Sequence, residues 1–252
     1  MEFQGKTALI TGGASGMGLL CGKCLAKEGA NIVLVDYNQE GLDAAVAEIG
    51  ENHGKEHVTG VLCDIRDYEQ VTAARDAAVE AFGRIDILIN CAGGACTRIM
   101  GRKEEFKDLP IEVLDFGLDI NLRGVIYMDQ VVMQQMAKQN SGVIIHLGSI
   151  SGVEPSPGAV AYSASKSALI NGVTPSLAAY GGKYNIRVNC VSPGPVLTRA
   201  AMAKMQTLMG RAAEPQEIVD LILYLCSDKA AFITGSNFLI DGGRNVLPHY
   251  KA

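Results

Sequence analysis

Residues Lys6 to Thr11 form a short apolar run of strand type that empties into Gly12-Gly-Ala-Ser-Gly16-Met-Gly18. Leu19 to Lys27 then read as a helix closed by Gly29. Strand, glycine turn and helix in this order are what a phosphate-binding loop needs. Glycines let the backbone turn sharply and approach a pyrophosphate, and a helix N-terminus offers unpaired N–H groups and positive dipole. A glycine-rich turn by itself is weak support, because many connections use glycine. The spacing here, Gly-x3-Gly-x-Gly, is also not the Gly-x-Gly-x2-Gly of the common dinucleotide fingerprint. The next run, Asn31 to Asp36, reads as a second buried strand. It ends in a carboxylate twenty residues past Gly16, where an acid can bind the two ribose hydroxyls of an adenosine. The alternative for Asp36 is a strand-end acid that caps the following helix.

Further apolar runs predict strands over His57–Cys63, Ile85–Asn90, Gly142–Leu147, Ile186–Val191 and Asn237–Ile240. Most are continuous, as for parallel strands covered on both faces. Helical stretches lie between them, Asp67–Phe82 for instance, with longer ones expected over Ile111–Lys138 and Val160–Lys183. Strands alternating with helices predict an α/β chain, a doubly wound parallel sheet with helices on both faces. With 252 residues, no linker and no internal repeat, a single domain over 1–252 is expected.

The 22 basic and 27 acidic residues leave a net charge of −5, so the chain has no electrostatic reason to bind nucleic acid or an anionic membrane. No apolar run approaches the ~18 residues of a membrane span. The first residues lead straight into the first strand, so a cytoplasmic address is expected. Seven scattered cysteines read as reduced, buried thiols. Cys21 and Cys24, at i and i+3 of the first helix, are expected to face the sheet together. They lack the second ligand pair of a metal site, and His53, His57, His146 and His249 show no ligand spacing. No metal is expected, and His146 reads as a satisfied core side chain with a minor role at the site left open.

The residues that assign chemistry come later in the chain. Lys166 follows Tyr162 by one helical turn in Tyr162-Ser-Ala-Ser-Lys166, and Ser149 lies thirteen residues before Tyr162. A phenol ordinarily keeps its proton up to pH ~10, and a cation on the same helix face favours the phenolate. A serine hydroxyl able to hydrogen-bond the same substrate oxygen completes a proton-transfer site. Any helix can also carry Tyr and Lys at this spacing on a solvated face.

Together these residues resemble the short-chain dehydrogenase/reductase family over nearly the whole chain. Thr11-Gly12-x3-Gly16-x-Gly18 resembles the family's cofactor turn, which implicates Gly12, Ser15, Gly16, Met17 and Gly18 in binding. Asn90-Cys91-Ala92-Gly93 resembles its Asn-Asn-Ala-Gly segment, implicating Asn90, Ala92 and Gly93. Cys91 departs from that pattern and is expected to weaken a strand-to-strand tether. Asn121, Ser149, Tyr162 and Lys166 match the catalytic tetrad. Pro193, Gly194, Val196 and Thr198 resemble the segment that holds the nicotinamide carboxamide, and Asp64 resembles the aspartate that binds adenine, with Cys63 and Ile65 beside it; an N-cap is the alternative for Asp64. The family fold implies about seven parallel strands of Rossmann type.

The resemblance implies a nicotinamide cofactor, and Asp36 argues for NAD. A carboxylate there repels a 2′-phosphate, and the positions where NADP-using relatives carry cations hold Ser15, Tyr37 and Asn38. It further implies a small-molecule alcohol or ketone substrate. Tyr162 would take the hydroxyl proton, Ser149 would stabilise the carbonyl oxygen, Lys166 would also bond the nicotinamide ribose, and Asn121 would hold a water on the proton path. A homotetramer or dimer is implied through the helices 111–138 and 160–183. Substrate identity stays open between a polyol, a hydroxysteroid and a 3-oxoacyl thioester. The lid, about 195–213, looks short and carries Met202, Met205 and Met209 at helical spacing. They fit either an apolar ligand or simple packing. The insert Arg98–Asp108 offers Arg98, Arg102, Lys103 and Lys107 as a cationic rim, which would suit an NADPH-dependent 3-oxoacyl carrier-protein reductase. The open cleft that a short lid leaves would suit a large substrate, or one enclosed by the tail Val246–Ala252 of a neighbouring subunit. A nucleotide-sensing regulator without catalysis is the reading from another class.

Overall fold

The computed structural model describes residues 1–247. Seven strands make one sheet: β1 (Thr7–Thr11), β2 (Asn31–Asp36), β3 (Val58–Leu62), β4 (Ile87–Asn90), β5 (Gly142–Leu147), β6 (Ile186–Pro193) and β7 (Asn237–Ile240). Every pairing is parallel, in the order β3-β2-β1-β4-β5-β6-β7. The predicted α/β doubly wound sheet is therefore the fold. β6 runs two residues beyond its expected end because Ser192 and Pro193 still pair with Leu239 and Ile240. β3 starts late because Lys55–His57 form a 3₁₀ turn.

Helices cross over between strands: α1 (Gly16–Lys27), α2 (Gln39–His53), α3 (Tyr68–Phe82), the single turn α4 (Cys96–Ile99), α5 (Ile111–Leu118), α6 (Gly124–Gln139), α7 (Val160–Ala168), α8 (Thr174–Gly181) and α9 (Pro215–Cys226). Their ends follow capping chemistry. Asp67 Oδ1 accepts from the N–H groups of Glu69 and Gln70, and Asn38 Oδ1 accepts from Gly41. Glu214 and Glu217 form a capping box around Pro215. No described helix is long and apolar enough to cross a membrane.

Strand side chains alternate between two cores. Ala8 and Ile10 of β1, with Ile32 and Leu34 of β2, pack on the α1, α2 and α9 side. Leu9, Val33 and Val35 pack on the α3 and α6 side with Met128, Val132 and Met136. Each fully buried side chain of this size contributes about 1.5–3 kcal/mol. Continuous apolar strands are the sequence signature of this double coverage.

Two expectations need correction. The stretches 111–138 and 160–183 are not unbroken α-helices: a π-turn at Asp119–Arg123 separates α5 from α6, and another at Leu169–Val173 separates α7 from α8. α8 stops at Gly181, so Lys183 lies in a 3₁₀ turn. Hydrophobic periodicity does not register one extra residue per turn. Cys21 and Cys24 also part company. Cys21 is buried against Cys91, whereas Cys24 is half-buried beside Gln216.

All seven thiols are free, and five are buried. Burial pushes the Cys63 and Cys226 thiols up to about 12, and a hydrogen bond with Cys91, then burial, raises Cys21. Iodoacetamide at neutral pH is expected to label at most Cys24 and Cys91 in the native protein and all seven cysteines in denaturant. Mass spectrometry showing more than two native adducts would mean a looser core than this.

Candidate active site

In a parallel sheet every strand ends at the same edge, and order reverses between β1 and β4. Ligands of open α/β sheets bind outside the carboxyl ends at that switch point. β1 ends there in Thr11 and the glycine turn. Gly12 has φ +67°, and a Cβ on it would sit 2.9 Å from Ala92 N, while a Cβ on Gly18 would strike Gly12 O. Only glycine lets α1 start this close to β1. No side chain caps the N-terminus of α1, and no acid stands in its first turn. Its donors are therefore open to an anion, as a pyrophosphate-bearing cofactor requires.

Asp36, at the end of β2, accepts from Ala14 N through Oδ2 at 3.1 Å and from Asn38 N through Oδ1 at 3.1 Å. Both oxygens keep a lone pair for a ribose hydroxyl. Helix α2 is capped by Asn38 and not by Asp36. Tyr37 beside it is exposed. At the next strand end, Asp64 has a partner that sequence reasoning did not identify. Arg66 holds its carboxylate through Nε at 2.9 and 3.0 Å and through Nη2 at 2.5 Å, and lies 5.0 Å over the Phe116 ring. The Arg66 hydrogen bonds hold the Asp64 carboxyl below the usual range. An adenine contact here would fall to the backbone of Cys63–Ile65 and to the remaining lone pairs of Asp64.

Across the switch point, Ala92 N donates to Thr11 Oγ1 at 3.1 Å, a tether that does not involve Cys91. The fully buried Asn121 lies within the first π-turn. Its Oδ1 accepts from Gly94 N at 2.8 Å, and its Nδ2 donates to Gly94 O at 3.0 Å and Gly117 O at 2.9 Å. Asn121 thus fastens α5 to the segment after β4. Both amide hydrogens are engaged, so only the second lone pair of Oδ1 is left for a water.

Ser149 follows β5 on extended backbone (φ −166°), and its Oγ accepts from Ser151 N at 3.1 Å. The hydroxyl hydrogen is left to donate elsewhere. Tyr162 and Lys166 share one face of α7. Lys166 is 4% exposed. Its Nζ donates to Leu147 O at 2.6 Å and lies 5.6 Å from the Tyr162 ring centroid. A buried ammonium is costly without partners, and the carbonyl at the end of β5 fixes it beneath the phenol. Beyond β6, Gly194 N donates to Ile240 O at 3.0 Å, while Val196 bridges to Ala213 and Thr198 Oγ1 reaches Val196 O at 3.4 Å.

Beneath this edge lies a polar network. Asp129 on α6 accepts from Asn90 Nδ2 at 2.8 Å and bonds His146 Nε2 at 3.0 Å, while His146 Nδ1 bonds Thr174 Oγ1 at 2.8 Å. All four side chains are buried. His146 is the satisfied core residue expected from sequence. Asp129, a buried carboxylate inside an apolar helix, was missed, although its charge in Tyr127-Met-Asp129-Gln-Val was the signal.

On the substrate side, two of the insert's four cations are paired locally: Arg102 with Glu104 at 2.5 Å, and Lys107 with Asp108 at 3.1 Å and Glu105 at 3.7 Å. The lid is not a helix through its three methionines. Only Ala200–Lys204 form a 3₁₀ turn, and Met209 is exposed. Of the tail expected to reach a neighbour, residues 248–252 lie outside the described residues.

A sequence model of the family described as enoyl-(acyl carrier protein) reductase matches residues 12–245. The D-threitol dehydrogenase of Mycolicibacterium smegmatis is 38% identical over 255 residues, covering 97% of this chain and 95% of that protein. The 3-oxoacyl-[acyl-carrier-protein] reductase FabG of Thermotoga maritima is 34% identical over 252 residues, covering 96% and 99%. Among solved structures, an NAD⁺-bound xylitol dehydrogenase superposes with a TM-score of 0.88 at 30% identity, covering 96% of this chain and 100% of the other.

Replacing His146 removes one partner of a buried carboxylate, which costs about 3–5 kcal/mol. His146→Ala is expected to lower the urea midpoint accordingly with little change in slope. An unchanged midpoint would mean that Asp129 does not depend on this bond.

Proposed function

The chain belongs to the short-chain dehydrogenase/reductase family and is an oxidoreductase of secondary alcohols, and we propose that it uses NAD, with Tyr162 as the proton-exchanging group and a polyol as substrate. The observation that carries this reading is Lys166, fixed by Leu147 O below the Tyr162 ring, with Ser149 free to donate from the same strand end.

In this reading Gly12, Ser15, Gly16, Met17 and Gly18 hold the pyrophosphate, Asp36 and Tyr37 the adenosine ribose, and Cys63, Asp64 and Ile65 the adenine. Asn90, Ala92 and Gly93 line the middle of the cofactor, with Pro193, Gly194, Val196 and Thr198 at its nicotinamide end. A nicotinamide held by these residues would supply the acceptor for the hydride of the carbinol carbon. Tyr162 takes the hydroxyl proton as the alcohol is oxidised and returns it in reduction. Ser149 Oγ–H donates to the substrate oxygen as it becomes a carbonyl. Lys166 favours the phenolate by its charge. Asn121 braces the loop after β4 on which the cofactor's middle rests.

The preference for NAD follows from Asp36, whose partners among the described residues are two backbone N–H groups and no cation. Bringing a second negative charge beside it costs several kcal/mol. The threitol and xylitol dehydrogenases named above support the polyol class. Local pairing of Arg102 and Lys107 reduces the positive charge that the insert could offer an acidic carrier protein. Apolar side chains left open on helices α5 to α8, among them Ile111, Ile126, Val160 and Tyr180, support a homo-oligomer. Seven free thiols suit the cytoplasm.

The test is NAD⁺ and NADP⁺ reduction over threitol, xylitol, a hydroxysteroid and a 3-hydroxyacyl thioester. Tyr162→Phe is expected to lower kcat by about 10²- to 10⁴-fold while still binding NADH. Full activity in that variant removes Tyr162 from the mechanism, and NADH binding without turnover of any alcohol favours the sensor. Asp36→Asn keeps size and drops the charge. Its NADP⁺ to NAD⁺ efficiency ratio is expected to rise at least about tenfold, and wild-type preference for NADP⁺ would overturn the Asp36 argument.

A further inference from the structure

The loops leaving β5, β6 and β7 meet at one guanidinium. Arg244, in the turn after β7, donates through Nε to Glu154 Oε1 at 3.0 Å and through Nη1 to Gln206 O at 3.2 Å, with Nη2 also 3.0 Å from Glu154 Oε1. Glu154 belongs to the loop that begins at Ser149, and its N–H bonds Ile150 O at 2.8 Å, which folds that loop back on itself. Gln206 belongs to the lid. The node therefore joins the serine loop, the lid and the C-terminal turn, on the half of the crevice away from the β1–β2–β3 nucleotide side.

The pair is enclosed, with side-chain exposures of 24% for Arg244 and 13% for Glu154. An enclosed ion pair contributes little stability beyond what packed apolar side chains would give at the same place. Its geometry is informative in another way. Nε and Nη2 both lie 3.0 Å from Oε1, while Oε2 has no hydrogen-bond partner among the described residues. The result is a carboxylate oxygen held at a fixed position, with open lone pairs, on the same short loop as Ser149. Such an atom takes an O–H donor. An apolar ligand body packed against it would strip its water and leave it unpaired, at a cost.

We propose that Glu154 determines substrate class by accepting at Oε2 a hydroxyl other than the reacting one, which selects a polyhydroxylated alcohol, and that Arg244 is the positioning residue that holds the carboxylate and closes the lid through Gln206. The proposal rests on the secondary-alcohol reading above. It adds a second point of attachment, so that a diol or polyol is oriented from two oxygens while a simple alcohol is held from one.

The experiment compares kcat and KM for threitol and for cyclopentanol in the wild type, Glu154→Gln and Arg244→Lys, with the thermal midpoint of each variant as a folding control. Glu154→Gln is expected to raise the threitol KM about 10- to 100-fold, the loss of one hydrogen bond to a charged group. The threitol kcat and both cyclopentanol constants are expected to stay within about threefold. Arg244→Lys keeps the charge and loses the fork, so a smaller shift in the same constant is expected; it carries the comparison alone if Glu154→Gln does not fold. An unchanged threitol KM overturns the proposal, as does an equal rise for both alcohols, which would indicate general damage to the lid. Wild-type turnover of cyclopentanol without threitol overturns it while sparing the secondary-alcohol reading. Turnover of neither alcohol, nor of any other secondary alcohol, overturns both.

Discussion

Parallel pairing obliges each of the seven strands to release its chain at the same edge of the sheet, and the order reversal between β1 and β4 prevents the loops there from covering that edge. The glycine turn after β1, Asp36 after β2, Asp64 after β3, Ala92 and Gly93 after β4, Ser149 after β5 and Gly194 after β6 share one crevice for this reason. One hydrogen bond, from Ala92 N to Thr11 Oγ1, ties the two sides of the switch point. The glycines at 12 and 18 let backbone approach backbone where any side chain would intrude.

The side chains proposed to react are held by partners whose main role is position. Lys166 is nearly closed to solvent, and Leu147 O at 2.6 Å orients its ammonium. The same strand end therefore anchors the cation and presents Ser149. Asn121 stands in a wide turn of its helix, and such insertions concentrate at functional sites because they displace a side chain from the regular helical face. Here the displaced amide locks onto Gly94 and Gly117. Below them, Asn90, Asp129, His146 and Thr174 join β4, β5, α6 and α8 through fully buried polar contacts, so this edge of the sheet rests on a layer that resists deformation.

The sheet was legible because burial on both faces makes parallel strands continuous apolar runs, and Asn31–Asp36, Gly142–Leu147 and Asn237–Ile240 match their predicted spans. The geometry of the glycine turn and of the Tyr-x3-Lys pair was legible because it depends on neighbours in sequence. What escaped is side-chain pairing that residue type alone does not specify. Arg66 turns back two residues onto Asp64, and Arg244 pairs with Glu154 ninety residues away. The two π-turns add a residue to a turn without altering hydrophobic character, so the helices read as unbroken. In the charged insert, composition shows the basic residues, while the pairing of Arg102 and Lys107 with Glu104, Glu105 and Asp108 is a property of the fold.

The central claim is that this edge performs proton transfer at Tyr162 coupled to oxidation of a secondary alcohol. The most direct measurement uses threitol deuterated at its carbinol carbons, with NAD⁺ and purified protein, and follows deuterium into the reduced cofactor by mass spectrometry. The account predicts one deuterium per reduced nicotinamide in the wild type, with formation slowed in Tyr162→Phe by the factor that general acid–base catalysis supplies. Reduced cofactor without deuterium, or deuterated product formed equally fast in both proteins, would contradict it.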